Sequence, residues 1–138
     1  MTSDESITRL LDRTHRIAVI GIKPESSGQP AFRVPLFLRD AGFEVIPVPV
    51  YYPELTELLG QPVHRSLASI EGPIDVVQLF RRPDDIPQHL GELLAARPAA
   101  VWMQLGIRHD AVAEALARAG IDVVQDRCMQ LELMARRP

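Results

Sequence analysis

Between Arg16 and Val48 the chain reads strand, glycine turn, helix, strand, and no other segment restricts the fold as tightly. RIAVIG (Arg16 to Gly21) is an apolar run that stops at a glycine, and IKPESSGQPA (Ile22 to Ala31) is a turn-rich loop carrying Lys23, the only lysine. A helix with an apolar stripe follows, and FEVIPVPV begins a second strand. This is the order of a nucleotide-binding βαβ unit, in which a helix start behind a glycine turn offers unpaired N–H groups and positive dipole to a phosphate.

The whole chain, 138 residues, has the length of one domain with a self-sufficient core. A net charge of -3 gives no global reason to expect nucleic acid or an anionic membrane as partner. No apolar run approaches the roughly 18 residues of a spanning helix. The start, MTSDESITRLL, is acidic where a secretion signal is basic, which makes the expected location cytoplasmic. Cys128 is the single cysteine and has no internal disulfide partner, in keeping with a reducing compartment.

Periodicity places the remaining elements. Thr2 to Glu5 has capping-box spacing ahead of Ile7, Leu10 and Leu11, which predicts a helix from about Ser3 to Asp12 within an N-terminal segment 1–14. The helix after the first strand is expected to start near Pro30, with Val34, Phe37, Leu38 and Ala41 on its apolar face and Gly42 as its C′ residue. Short helical turns are expected around Glu54 to Leu59 and Ser66 to Ile70. Strands three, four and five are read as Ile74 to Phe80, Ala99 to Leu105 and Ile121 to Gln125. Asp84 is positioned to cap the helix carrying Ile86, Leu90, Leu93 and Leu94, Gly120 ends a helix marked by Val112 and Leu116, and residues 129–138 form a C-terminal extension.

The strands are nearly continuous apolar runs, so both sheet faces are covered. The expected fold is α/β: a three-layer, Rossmann-like, doubly wound sheet of five mainly parallel strands, in the order 3-2-1-4-5, with helices on both faces. That order sets the C-terminal ends of strands one and four side by side at the switch point, where ligands of such sheets bind.

Several residues at that edge have ligand chemistry. Gly21 allows close backbone approach to a pyrophosphate, and Lys23 and Arg33 can neutralise it, although any βαβ turn needs a glycine. Pro47, Val48 and Pro49 end strand two where an NAD-binding domain carries an acidic ribose contact; they make either an adenine wall or an ordinary strand exit, and they disfavour NAD. Arg81 and Arg82 follow strand three as a phosphate- or carboxylate-binding pair or as solvated cations. Gln104, Leu105 and Gly106 end strand four with an amide and a close-approach glycine. Cys128, beside Arg127, is either a thiolate at the cleft mouth or an inert thiol beside an Asp126–Arg127 ion pair. His15, His64, His89 and His109 have no metal-ligand spacing, and no Ser, His and Asp set or nucleophile elbow is legible.

IAVIGIKP, PAFRVPLFLRDAGFEVIPV, IDVVQLFRRP, VWMQLGIR and VVQDRC, in that order, resemble the small bacterial and archaeal CoA-binding proteins. Those are single Rossmann-like domains similar to the CoA-binding domain of the succinyl-CoA synthetase alpha subunit. The resemblance runs from about His15 to Cys128 and implies coenzyme A, free or acylated, across the C-terminal edge of the sheet. Its pyrophosphate is expected at Gly21, Ile22, Lys23 and the helix start near Arg33, and its adenine at Pro47 to Pro49. The pantetheine arm is expected to pass Phe80, Arg81 and the Gln104–Gly106 turn. Pro24 and Pro30, which bracket the loop, Arg82 and Cys128 complete the candidate set. The synthetase's phosphorylated histidine domain and nucleotide-charging subunit have no counterpart in 138 residues, so ligase activity is not expected. The leading expectation is a CoA or acyl-CoA binding protein with no catalytic set. The alternatives are a mixed-disulfide CoA store through Cys128 and an NAD(P)-linked enzyme.

Overall fold

The computed structural model describes residues 3–136. Five strands form one parallel sheet: β1 Arg16–Ile20, β2 Glu44–Val48, β5 Val76–Leu79, β6 Ala100–Met103 and β7 Asp122–Val124. Between β2 and β5 a two-residue antiparallel pair, β3 Glu57–Leu58 and β4 Gln61–Pro62, stands apart from it. The helices are α1 Asp4–Arg13, α2 Pro30–Asp40, α3 Leu90–Ala96, α4 Asp110–Arg118 and α5 Met129–Arg136.

The apolar runs explain the layering. Alternate residues of each strand feed two separate cores, so a strand buried on both faces is apolar except where a polar side chain is hydrogen-bonded inside, as Gln78 is to Gln104. Ile17, Val19, Val76 and Trp102 pack under α1, α2 and α5 through Leu10, Leu38 and Leu133. Ala18, Ile20, Val77, Leu79 and Val101 pack under α3 and α4 through Leu93 and Leu116. Each fully buried Leu or Ile contributes about 1.5–3 kcal/mol of apolar transfer free energy. Trp102, fully buried, also donates its indole N–H to the Arg127 carbonyl at 2.8 Å, tying β6 to the segment after β7.

The three-layer α/β class is as expected, but the strand order is not 3-2-1-4-5. The sheet runs β2-β1-β5-β6-β7, so the third main strand lies beside the first and not outside the second. Burial on the two faces does not decide the neighbour: Val76 to Leu79 is buried at every position, and so are Ala100–Met103 and, in the edge strand β2, Val45 to Val48. In the observed order the chain ends that meet at the switch point are those of β1 and β5.

Local differences have local causes. The helix cap is Ser3, whose hydroxyl accepts from the Ser6 amide at 3.1 Å; Thr2 lies outside the described residues. No helical turn forms at Glu54 to Leu59, because Leu59 and Gly60 both take positive φ (54° and 77°) and fold the chain into the β3–β4 hairpin. Asp84 does not cap: Pro83–His89 is a 3-10 segment with Pro83 at its start and Pro87 inside, and the α-helix proper begins only at Leu90. Gly42 is the C′ residue of α2, with φ 106°, its amide on Arg39 and the Phe43 amide on Leu38.

Candidate functional site

At the C-terminal edge of the sheet a cleft of about 490 Å³ opens between the loop after β1, the start of α2 and the ends of β5 and β6. Among the candidates, Lys23, Pro30, Phe80, Arg81, Arg82, Gln104, Leu105, Gly106 and Cys128 line it. Its charged lining residues are Lys23, Arg81 and Arg82, all cationic, while Val34, Phe80, Leu105 and Ile107 supply an apolar wall. A smaller adjoining recess of about 150 Å³ is bounded by Gly21, Tyr51, Arg81 and Asp85. Pockets of this size, mostly apolar with a few convergent polar groups, are the usual form of small-molecule sites.

Gly21 is demanded by the sheet itself. Its φ is 88°, and a Cβ there would lie 2.2 Å from the Phe80 carbonyl oxygen. Its amide donates to the Val48 carbonyl at 2.9 Å. The glycine thus lets β1 and β5 exit in contact, whatever is bound. The loop beyond it is tied down. The Lys23 amide donates to Ala31 at 3.2 Å, and the Phe32 and Arg33 amides both donate to Gln29. The Ile22 and Ala31 amides find no acceptor among the described residues. The Lys23 ammonium donates to Gln29 Oε1 at 2.7 Å.

Other candidates stand away from the cleft. Arg33 is exposed on α2 and donates to the Gly28 carbonyl. Ile22 is buried in the core beneath α2, and Pro24 precedes the short 3-10 turn Glu25–Ser27. Pro47, Val48 and Pro49 are buried and line neither cavity; Tyr51, 59% exposed, borders the recess instead. Arg65 keeps that segment in place by donating to the carbonyls of Tyr51, Tyr52 and Leu55.

At the end of β6, Gln104 is a buried hub. Its Oε1 accepts both the Gln78 side-chain amide, at 3.0 Å, and the Met129 backbone N–H, at 2.9 Å. Gln78 Oε1 has no partner among the described residues. Gly106, with φ 82°, gives its amide to Asp126 Oδ1 at 2.6 Å, so that donor is committed within the protein. Cys128 is half-buried and lines the cleft, next to the Arg127 side chain that pairs with Glu132 at 3.4 Å.

The sequence reading missed the surroundings of Arg81. This arginine is 8% exposed, its Nε donates to His89 Nε2 at 3.0 Å, and His89 Nδ1 bonds Glu92 Oε2 at 2.9 Å. The guanidinium also lies 5.7 Å from the centre of the Tyr51 ring, a cation–π distance. The i,i+3 spacing of His89 and Glu92 was the available signal. Among the described residues no group of three or more His, Cys, Asp or Glu side chains could hold a metal ion, and no helix is long and apolar enough to cross a membrane.

A family model described as a CoA binding domain matches residues 15–134. The uncharacterized protein YneT of Bacillus subtilis is 33% identical over 129 residues, covering 94% of this chain and 93% of its own. A Thermus thermophilus structure, cell-free ID.343, superposes with a TM-score of 0.88 at 39% identity, over 97% of this chain and 98% of that one. A hypothetical protein from Pyrococcus horikoshii OT3 superposes with the same TM-score, 0.88, at 28% identity, over 97% and 92% of the two chains.

Proposed function

We propose, from the premise that this chain belongs to the CoA binding domain family, that it is a cytoplasmic CoA or acyl-CoA binding protein whose cleft holds the cofactor without transforming it. The observation that carries the reading is the cleft lining: three cations, Lys23, Arg81 and Arg82, no carboxylate, and the apolar side chains of Val34, Phe80, Leu105 and Ile107 together with Cys128. The cations suit the phosphates of CoA, where charge-assisted hydrogen bonds are strong. The apolar wall suits the pantetheine arm. The adenine then rests against exposed Tyr51 in place of buried Pro47 to Pro49.

Calorimetric titration with CoA, dephospho-CoA, NAD and ATP tests it. Heat with CoA at micromolar concentration, and weaker binding of NAD and ATP, is the expected result. No heat with CoA rejects the reading, and tight nicotinamide cofactor binding favours the NAD-linked enzyme instead.

A second reading has its own observation: Cys128 lines the same cleft as the three cations. Its thiolate can attack CoA disulfide, forming a protein–CoA mixed disulfide and releasing CoA thiolate, so that one S–S bond replaces another. Intact mass after CoA disulfide treatment decides: a CoA adduct lost in Cys128→Ser supports the store, and no adduct excludes it.

A further inference from the structure

Arg81 is a buried cation whose direct partner is neutral. Its nearest carboxylate, Asp85, is 3.9 Å from Nη2 and closer, at 3.3 Å, to the Arg82 Nε. A guanidinium has donors only, so the His89 Nε2 it bonds at 3.0 Å must present a lone pair. The ring proton then sits on Nδ1 and is donated to Glu92 Oε2 at 2.9 Å. Glu92 is held in turn, because its other oxygen accepts the Leu67 backbone N–H at 3.1 Å. A hydrogen-bonded line thus runs from a 3-10 turn through Glu92 and an uncharged imidazole to the guanidinium at the cleft.

The line grips one edge of Arg81 only. The two Nη groups have the Tyr51 hydroxyl at 3.5 Å and Asp85 at 3.9 Å, both at the limit of contact. Burying an ion costs several kcal/mol unless it is paired. An arrangement serving stability alone would seat a carboxylate on those Nη donors. Arg81 instead lines two cavities that Lys23 and Arg82 also line.

We propose that His89 and Glu92 are positioning residues that hold Arg81 as a planar two-pronged anion receptor, its Nη pair reserved for a phosphate of the bound CoA. The inference rests on the cleft reading above. His89 sets the plane of the guanidinium, and Glu92 sets the imidazole's tautomer and lends negative charge through it without neutralising the fork.

The test is calorimetric titration of CoA into the full chain and its variants. His89→Leu should weaken CoA binding by about three- to tenfold, the size of one lost hydrogen bond. His89→Gln, whose amide can accept from Arg81 and donate to Glu92, should restore affinity to within about twofold of wild type. In an Arg81→Gln background, His89→Leu should add nothing, since the two act through one contact. Should His89→Leu fail to fold, Glu92→Ala removes the Nδ1 acceptor and should weaken CoA binding in the same way. Unchanged affinity in His89→Leu or its substitute, equal losses in the Leu and Gln variants, or additive losses with Arg81→Gln would overturn the proposal. A wild-type chain that binds no CoA overturns the cleft reading itself; one that binds CoA with the relay variants unaffected overturns only the relay.

Discussion

Lys23 donates its backbone N–H to the carbonyl of Ala31 at 3.2 Å, and that carbonyl is available because the residue four positions on is Pro35. An interior proline leaves the i−4 carbonyl of its helix without the usual donor. Here the orphan acceptor is used to fasten the loop after β1 to the first turn of α2.

Replacing Pro35 by Ala supplies the missing helical amide and sets it in competition with Lys23. The expected outcome is faster hydrogen exchange at the Lys23 amide, by roughly tenfold or more, with the amides of β1 unchanged. Exchange at Lys23 as slow as in wild type would show that Pro35 has no part in holding the loop.

Gly21 and Gly106 both have positive φ, at 88° and 82°, but only Gly21 has a neighbour in the way. Gly21→Ala should cost about 3 kcal/mol or more, from a left-handed alanine plus a clash with the Phe80 carbonyl. Gly106→Ala, with nothing within 4 Å of the new Cβ, should cost only about 1–2 kcal/mol. Urea unfolding of the two variants measures the difference, and equal losses would refute the close passage of β1 and β5.

Gln78 is fully buried with its oxygen unpartnered among the described residues, while Gln104 serves two donors. Gln78→Met removes the orphan at similar volume and leaves Gln104 bonded to the Met129 amide, so stability should hold to within about 1 kcal/mol or rise. Gln104→Leu strands two buried donors and should cost about 2–4 kcal/mol. Thermal unfolding of the pair checks the ranking; a larger loss in Gln78→Met would overturn it.

Element identity was legible because it depends on periodicity. Pro30 at the start of α2, Gly42 at its end and the apolar runs of five strands are local statements, and each is seen in the structure. Neighbour relations were not. Continuous hydrophobicity says that Val76 to Leu79 is covered on both faces, but it does not say which strand lies alongside. Misplacing it put strand four, and not strand three, next to Gly21.

The site divides in the same way. The glycine turn, the basic residues and the cysteine were readable as residue types at strand ends, and most of them gather at one cleft. Their mutual bonding was not. Arg33 folds back on Gly28, the Gly106 amide is taken by Asp126, and Pro47 to Pro49 turn inward, each through contacts with residues distant or undistinguished in sequence. His89 looked dispersed because only its i,i+3 spacing from Glu92 is visible in the sequence, whereas its contact with Arg81 depends on how the 3-10 segment Pro83–His89 turns the chain back on the end of β5.

Trp102 is the only tryptophan, and its indole proton rests on the carbonyl of the residue immediately before Cys128. The molecule therefore carries one intrinsic fluorophore whose emission reports on the polarity and hydrogen bonding of a single peptide group at the rim of the cleft. Occupancy there can be followed by optical titration of the unlabelled chain, without competing background from a second indole.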